Sequence, residues 1–429
     1  MWHRIRTIAP CGRGSVGSSI YVSPIPSRDR RERSAETMTF NEARECVLRE
    51  VQPWRGLQEQ VHVLDAAGRI LAEEISADRD YPPFDRSARD GFAVRAADVP
   101  GELLITGEVR AGEVFTGQVS AKGAVEIMTG APLPSGADAV VMVEHVERRE
   151  NRVAIARSIK SGENFTPRGT EAKCGEIVLR AGQLIEFTET AVLAMVGREQ
   201  VQVFRQPRVA ILPTGDEIVE AGQTPLPYQI RNSNACSLAV QVRRAGGVPK
   251  ILPIARDSYE STRASIEKGL ESDLLLLSGG VSAGKYDIVE QVLADLGAKF
   301  FFTRVKIQPG QPLVFGAVGA KFFFGLPGNP ASTMVTFELF ARAAVERLSG
   351  VDRPMLPLLR ARLTRDFRHK PGLTRFLPAR LSEDGSTVEP TGWQGSGDIP
   401  SLARANAFLV ADAERESWVV GDDIRVLLK

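Results

Sequence analysis

Three stretches of this chain place carboxylates and small residues directly after apolar runs. Pro213-Thr214-Gly215-Asp216-Glu217 follows the run 209–212, Arg256-Asp257 follows 248–254, and Ser278-Gly279-Gly280-Val281-Ser282-Ala283-Gly284, then Asp287, follow 274–277. In a parallel α/β sheet, ligands bind outside the carboxyl ends of the strands. If these runs are such strands, Glu217, Asp257 and Asp287 face one crevice. Hard divalent cations take oxygen ligands, and Mg²⁺ typically takes one or two carboxylates together with substrate phosphates. The residues therefore point to a phosphorylated ligand with Mg²⁺ or another divalent cation, held by Glu217 and Asp287. The plain alternative is that Asp257 and Asp287 cap the helices that follow them.

The turn that starts at Ser278 has the composition for an anion. Gly279 and Gly280 let backbone N–H groups come close to a phosphate at a helix start, with Ser278 and Ser282 as hydroxyl donors. Gly325-Leu326-Pro327-Gly328-Asn329-Pro330 adds to the same rim, with Asn329 as N-cap, Pro330 as first helical residue and Ser332 in the first turn. Each turn alone also reads as an ordinary strand-to-helix connection. Their convergence favours a site.

The elements that must position these residues are legible in the periodicity. Residues 209–212, 248–254, 274–277, 300–302, 313–315 and 322–324 read as strands. Helical stripes run between them, including Ala235, Leu238, Ala239 and Val242, then 258–270, 288–296 and a long helix 330–348. This alternation predicts an α/β multidomain fold around a doubly wound, mostly parallel sheet, residues 206–350. A β-rich domain, 81–173, precedes it. A helical and extended linking region combines 38–80 with 174–205, and a small barrel-like β domain, 356–429, ends the chain. Residues 1–37, with seven arginines, read as a disordered extension or a misassigned start.

Composition removes several classes. The 54 basic and 53 acidic residues leave a formal net charge of +1, so nucleic acid and anionic membrane surfaces are not expected partners. No apolar run reaches the roughly 20 residues needed to span a bilayer. Four scattered cysteines, Cys11, Cys46, Cys174 and Cys236, form no metal-like spacing and predict a reducing, cytoplasmic setting.

Five motifs in order carry a resemblance. They are Arg86-Ser87-Ala88-Arg89-Asp90-Gly91-Phe92-Ala93-Val94-Arg95, Ile127-Met128-Thr129-Gly130-Ala131-Pro132, Thr214-Gly215-Asp216-Glu217, Ser278-Gly279-Gly280-Val281-Ser282 and Gly325-Leu326-Pro327-Gly328-Asn329-Pro330. From Met38 to Lys429 the chain resembles the molybdopterin molybdenumtransferases, the bacterial MoeA group that includes the E domain of gephyrin. The resemblance implies homodimers with an intersubunit site, which take adenylated molybdopterin and molybdate and release molybdenum cofactor and AMP. It makes 206–350 the molybdopterin-binding domain. It brings Asp90 and Thr129 from the partner's β-rich domain to face Glu217, Asp257 and Asp287. Molybdopterin adenylyltransferase and apo-molybdoenzymes are the implied upstream and downstream partners.

Four departures qualify the transfer. Arg89-Asp90-Gly91-Phe92 stands where the family has Met-Asp-Gly-Tyr, so a cation neighbours the carboxylate. Glu171 replaces an aspartate. The family's Lys-Pro-Gly-Lys-Pro, whose lysines contact molybdate, reads Gln308-Pro309-Gly310-Gln311-Pro312, with Lys306 and Arg304 as candidate substitutes. Gly-Arg-x-Glu-Phe reads Gly372-Leu373-Thr374-Arg375-Phe376, while Ser396 keeps a family anion contact. Two other readings stand beside this one: adenylation of molybdopterin by an enzyme sharing the sheet, and a gephyrin-like scaffold without catalysis.

Overall fold

The computed structural model describes residues 37–53, 57–280 and 288–429. Thr39 opens helix α1 (Phe40–Glu50): its hydroxyl accepts from the Glu42 amide while the Glu42 carboxylate accepts from the Thr39 amide. This reciprocal pair satisfies two donors that a helix start leaves open. The buried stripe Phe40, Ala43, Cys46 and Val47 packs on the central sheet. Thr37, assigned by sequence to the extension, already pairs with Arg304. A second helix, α2 (Phe187–Met195), packs with the antiparallel pair Gln58–His62 and Gln200–Phe204 around a separate small core containing Leu71, Ile75, Leu193 and Val203.

The central sheet has seven strands: β1 (Thr37–Met38), β2 (Arg208–Pro213), β3 (Val248–Ile251), β4 (Leu274–Ser278), β5 (Lys299–Val305), β6 (Pro312–Val318) and β7 (Lys321–Leu326), in the order β1-β5-β6-β7-β4-β2-β3. All neighbours are parallel except β6, which runs against both β5 and β7. Alternate residues serve opposite faces, as the two-residue strand period requires. Val209, Ile211, Leu274 and Leu276 pack under α1, α3 (Ser233–Arg244) and the chain from Pro330 to Leu348. Ala210, Leu212, Leu275 and Leu277 pack under α4 (Tyr259–Gly269) and α5 (Ile288–Asp295).

The predicted single helix over 330–348 is interrupted. It consists of α6 (Pro330–Thr336), a π-helical turn (Phe337–Ala341) and α7 (Arg342–Leu348). Arg44, reaching across from α1, donates to the Leu339 carbonyl inside the turn at 2.7 Å, and Thr336 Oγ1 donates to the Ser332 carbonyl just before it. Periodicity of apolar residues reports the buried face and is insensitive to one extra residue per turn.

The β-rich unit is a six-stranded sheet in which Gly91–Val94 lies between Gly123–Ile127 and Ala139–Met142. In the C-terminal unit, Thr374–Leu381, Thr387–Pro390, Leu358–Leu363, Asp423–Leu428 and Ala407–Ala411 pair in a ring that closes back on Thr374–Leu381. Closure leaves no free sheet edge. The barrel is fastened to the central sheet through Phe376, Phe408, Val410 and Leu427, which share a core with α1 and α6.

Candidate functional site

β2, β4 and β7 lie side by side and end together, so the segments that follow them meet. They form a cleft of about 290 Å³. Of the residues predicted for the site, Thr214, Glu217, Ser278, Gly279, Gly328 and Asn329 line it. Gly279 and Gly280 have φ of +96° and +65°, a conformation side chains rarely adopt, and a Cβ on Gly280 would lie 2.9 Å from Thr214 Oγ1. The Thr214 hydroxyl oxygen is enclosed and makes no hydrogen bond among the described residues.

Asn329 is the N-cap residue of α6, as predicted, and Pro330 its first residue. Its side chain makes no capping bond, so its amide is left for the cleft it lines. Glu217 folds back over Gly215, its Oε2 2.5 Å from where a Cβ would stand. Nothing among the described residues donates to this carboxylate.

Other predicted residues are placed differently. Asp257 does not line the cleft and does not cap α4, whose N-cap is Ser258. It instead exchanges hydrogen bonds with Asp216, each amide donating to the other's carboxylate at 3.3 and 3.4 Å, because the bridge between Thr214 and Ala255 sets the two turns side by side. Ser282 and Asp287 lie outside the described residues. Among those described, no three His, Cys, Asp or Glu side chains converge as a metal cluster, and Glu217 alone brings a carboxylate to the cleft.

Pro327 and Ser332 are buried beside the cleft without lining it. The Pro327 carbonyl is taken by Thr333 Oγ1. The Ala331 amide donates to the Ser396 carbonyl at 2.9 Å, which seats the barrel's Gly395–Gly397 loop on the start of α6. Pro309 and Gly310 are buried against the same helix on another side, where a Cβ on Gly310 would lie 2.3 Å from Thr336 Cγ2. Lys306 lines a different cleft with Thr39 and Glu42. Arg375 is Gln308's partner in the strand pairing, and its Nε is buried with no acceptor among the described residues.

Asp90 and Thr129 come together within the β-rich unit and do not line the cleft of their own chain. They flank the paired strands Gly91–Val94 and Gly123–Ile127, whose register sets Gly91 opposite Ile127. Thr129 donates twice to Asp90 Oδ1, from its hydroxyl at 2.7 Å and its amide at 2.6 Å. These bonds, hydroxyl first, hold the Asp90 carboxyl below its ordinary range, and the neighbouring Arg89 takes no part in this. Glu171 is paired with Arg86 at 2.9 Å.

The sequence reading missed Asn234. Its Nδ2 donates to Ser278 Oγ at 2.9 Å and to the Gly328 carbonyl at 2.8 Å, tying α3 to the other two walls. Its Oδ1 is buried without a donor among the described residues. Arg231, Asn232 and Ser233 also line the cleft. The available signal was Arg231-Asn232-Ser233-Asn234 just before a helical stripe, a polar run of the kind that caps a helix.

Comparison with known proteins agrees with this architecture along the chain. Residues 38–197 match the MoeA N-terminal region (domains I and II), 210–347 a probable molybdopterin-binding domain, and 360–429 the MoeA C-terminal region (domain IV). A molybdopterin molybdenumtransferase of Staphylococcus epidermidis is 34% identical over 378 residues, covering 86% of this chain and 90% of that protein. One from Staphylococcus aureus is 34% identical over 369 residues, covering 84% and 88%. A crystal structure of the molybdopterin biosynthesis MoeA protein from Pyrococcus horikoshii superposes with a TM-score of 0.80 at 28% identity, over 92% of this chain and all of that one. With three family domains in order on one chain, each built as described above, this chain belongs to the MoeA family of molybdopterin molybdenumtransferases, enzymes of molybdenum cofactor biosynthesis.

Proposed function

We propose that this chain inserts molybdate into adenylated molybdopterin, releasing AMP and molybdenum cofactor, as a cytoplasmic homodimer whose site is shared between subunits. The observation that carries the reading is the division of the candidate groups. Thr214, Ser278, Asn329 and Asn234 converge in one cleft, while the Asp90–Thr129 pair sits in a different unit of the same chain. A second copy brings the two halves together.

In this reading the cleft binds the adenylated pterin. Gly279 and Gly280 let backbone approach its phosphates, the Thr214 hydroxyl donates to an oxygen there, and Asn234 Oδ1 accepts from a ligand N–H. Glu217, with Asp287, would hold a divalent cation such as Mg²⁺, which when bound offsets charge on phosphate oxygens. Asp90 of the partner subunit, kept ionised by Thr129, orients the water or molybdate oxygen that attacks. Arg375, beside Gln308, supplies the positive charge that the glutamines lack. The Asp257–Asp216 pair shapes the turn that presents Glu217.

Neither alternative fits as well: adenylation needs only the central domain, and a scaffold needs no enclosed unpaired Thr214 and Asn234 atoms in a cleft. Expression in a cell lacking its molybdenumtransferase should restore molybdoenzyme activity, and Asp90→Asn should not. Failure of the parent chain at both ordinary and elevated molybdate would remove the enzymatic reading. Unchanged cofactor synthesis by Asp90→Asn would remove Asp90's part in it.

A further inference from the structure

A second cavity, of about 330 Å³, opens where the linking region, the central sheet's helices and the segment before the barrel meet. Four arginines are among its lining residues, Arg69, Arg244, Arg342 and Arg353, with one acidic residue, Glu346. That carboxylate is already engaged. Arg342 Nε donates to it at 2.7 Å, and burial pushes the Glu346 carboxyl up, against the pull of Arg342 and of Arg44, whose guanidinium is bonded to the Leu339 and Pro354 carbonyls.

Two of the arginines are paired beyond the cavity lining, Arg69 with Glu59 and Arg342 with Glu338, which leaves the charges of Arg244 and Arg353. Arg69 Nη2 donates to Glu59 and to the Phe204 carbonyl, and its Nε is buried without an acceptor. Neither Arg244 nor Arg353 has an ion-pair partner among the described residues. Between these groups Phe204, Leu184 and Met355 present apolar surface. Arginine forks of this kind suit phosphate oxygens, because two parallel N–H groups match two oxygens.

We propose that this cavity binds a small phosphate monoester with an apolar, flat body, at a site separate from the cleft. The two sites share no lining residue, yet α3 joins them: Ser233 and Asn234 at its start line the cleft, and Arg244 at its end lines the cavity. At about 1.5 Å per residue, these 12 residues form a short rigid rod between the sites. Occupancy would also brace the linking region against the central domain, since Arg69 belongs to one and Arg342 to the other.

The test uses the full chain and calorimetric titration with phenyl phosphate, with inorganic phosphate and phenol as the separated head and body. Saturable phenyl phosphate binding is expected, at least tenfold tighter than either fragment. The Arg244→Gln, Arg353→Gln double variant should weaken it at least tenfold, while Asn234→Ala, in the cleft, should leave it within twofold. If the double variant loses cooperative unfolding, Arg353→Gln alone serves, because this exposed residue lies outside every helix and strand. Absent binding, or binding that the arginine variants leave unchanged, overturns the proposal. Equal affinity for inorganic phosphate overturns the requirement for an apolar body.

Discussion

Replacing Asn234 by alanine removes two donors from the centre of the cleft, one to Ser278 Oγ and one to the Gly328 carbonyl. A neutral hydrogen bond in a folded protein contributes about 0.5–1.5 kcal/mol net, so the pair holds α3 to the Ser278 and Gly328 turns by about 1–3 kcal/mol in all. Each 1.4 kcal/mol is about tenfold in an equilibrium, so the variant has a window of about 5- to 150-fold. The Gly328 bond is solvent-exposed, which places the expected value near tenfold. The affinity for AMP or the adenylated pterin should fall by that factor in calorimetric titration, and the amides of residues 325–331 should exchange faster with deuterium. Asn234→Asp should be worse than alanine, because it sets a carboxylate against the Gly328 carbonyl in a cleft built for an anion. Affinity and exchange within twofold of the parent, or an aspartate that outperforms alanine, would refute the reasoning.

Asp384 gives a pH prediction. Hydrogen bonds from the Ser382 and Ser386 hydroxyls and the Ser386 amide lower it from 3.8 to about 2. A depressed carboxylate stabilises the fold above its unfolded pKa and loses that contribution as pH falls through the folded value. Asp384→Asn should therefore flatten the pH dependence of barrel stability between about 4 and 2, followed by urea unfolding monitored at Trp418; an unchanged acid limb would count against the assignment. Gly310→Ala forces a Cβ to 2.3 Å from Thr336 Cγ2 at a φ of +101°, and overpacking of this kind costs about 1–3 kcal/mol. Thr336→Ser should recover part of that loss in denaturant midpoint, whereas full recovery would show that backbone strain is negligible. Gln308→Lys with Gln311→Lys should raise molybdate affinity at least tenfold by equilibrium dialysis, and Arg375→Gln should lower it; no change in either removes this loop and Arg375 from the anion's surroundings.

Much of the molecule is determined by short-range sequence. The alternation of apolar runs and helical stripes sets out the central sheet, since burial on both faces demands continuous apolar strands. Gly279, Gly280 and the Asn329-Pro330 start of α6 are legible because backbone conformation at a turn depends on a few adjacent residues. The motif around Asp90 and the one at Thr129 are equally local, and their meeting follows from two strands paired in register.

What only the tertiary structure decided depends on contacts distant in sequence. Asp257 has the spacing of a crevice ligand, but the bridge between Thr214 and Ala255 turns it onto Asp216. Lys306 is near Gln308 along the chain, yet it lines a cleft with Glu42, while Arg375 reaches Gln308 across the barrel pairing. Ring closure of the barrel and the interrupted helix at Leu339 likewise rest on partners tens to hundreds of residues away. Periodicity reports which face of an element is buried and not which element buries it. Asn234 shows the limit most clearly: it reads as one more polar residue at a helix start, and becomes the tie between the cleft's three walls only when β2, β4 and β7 end side by side.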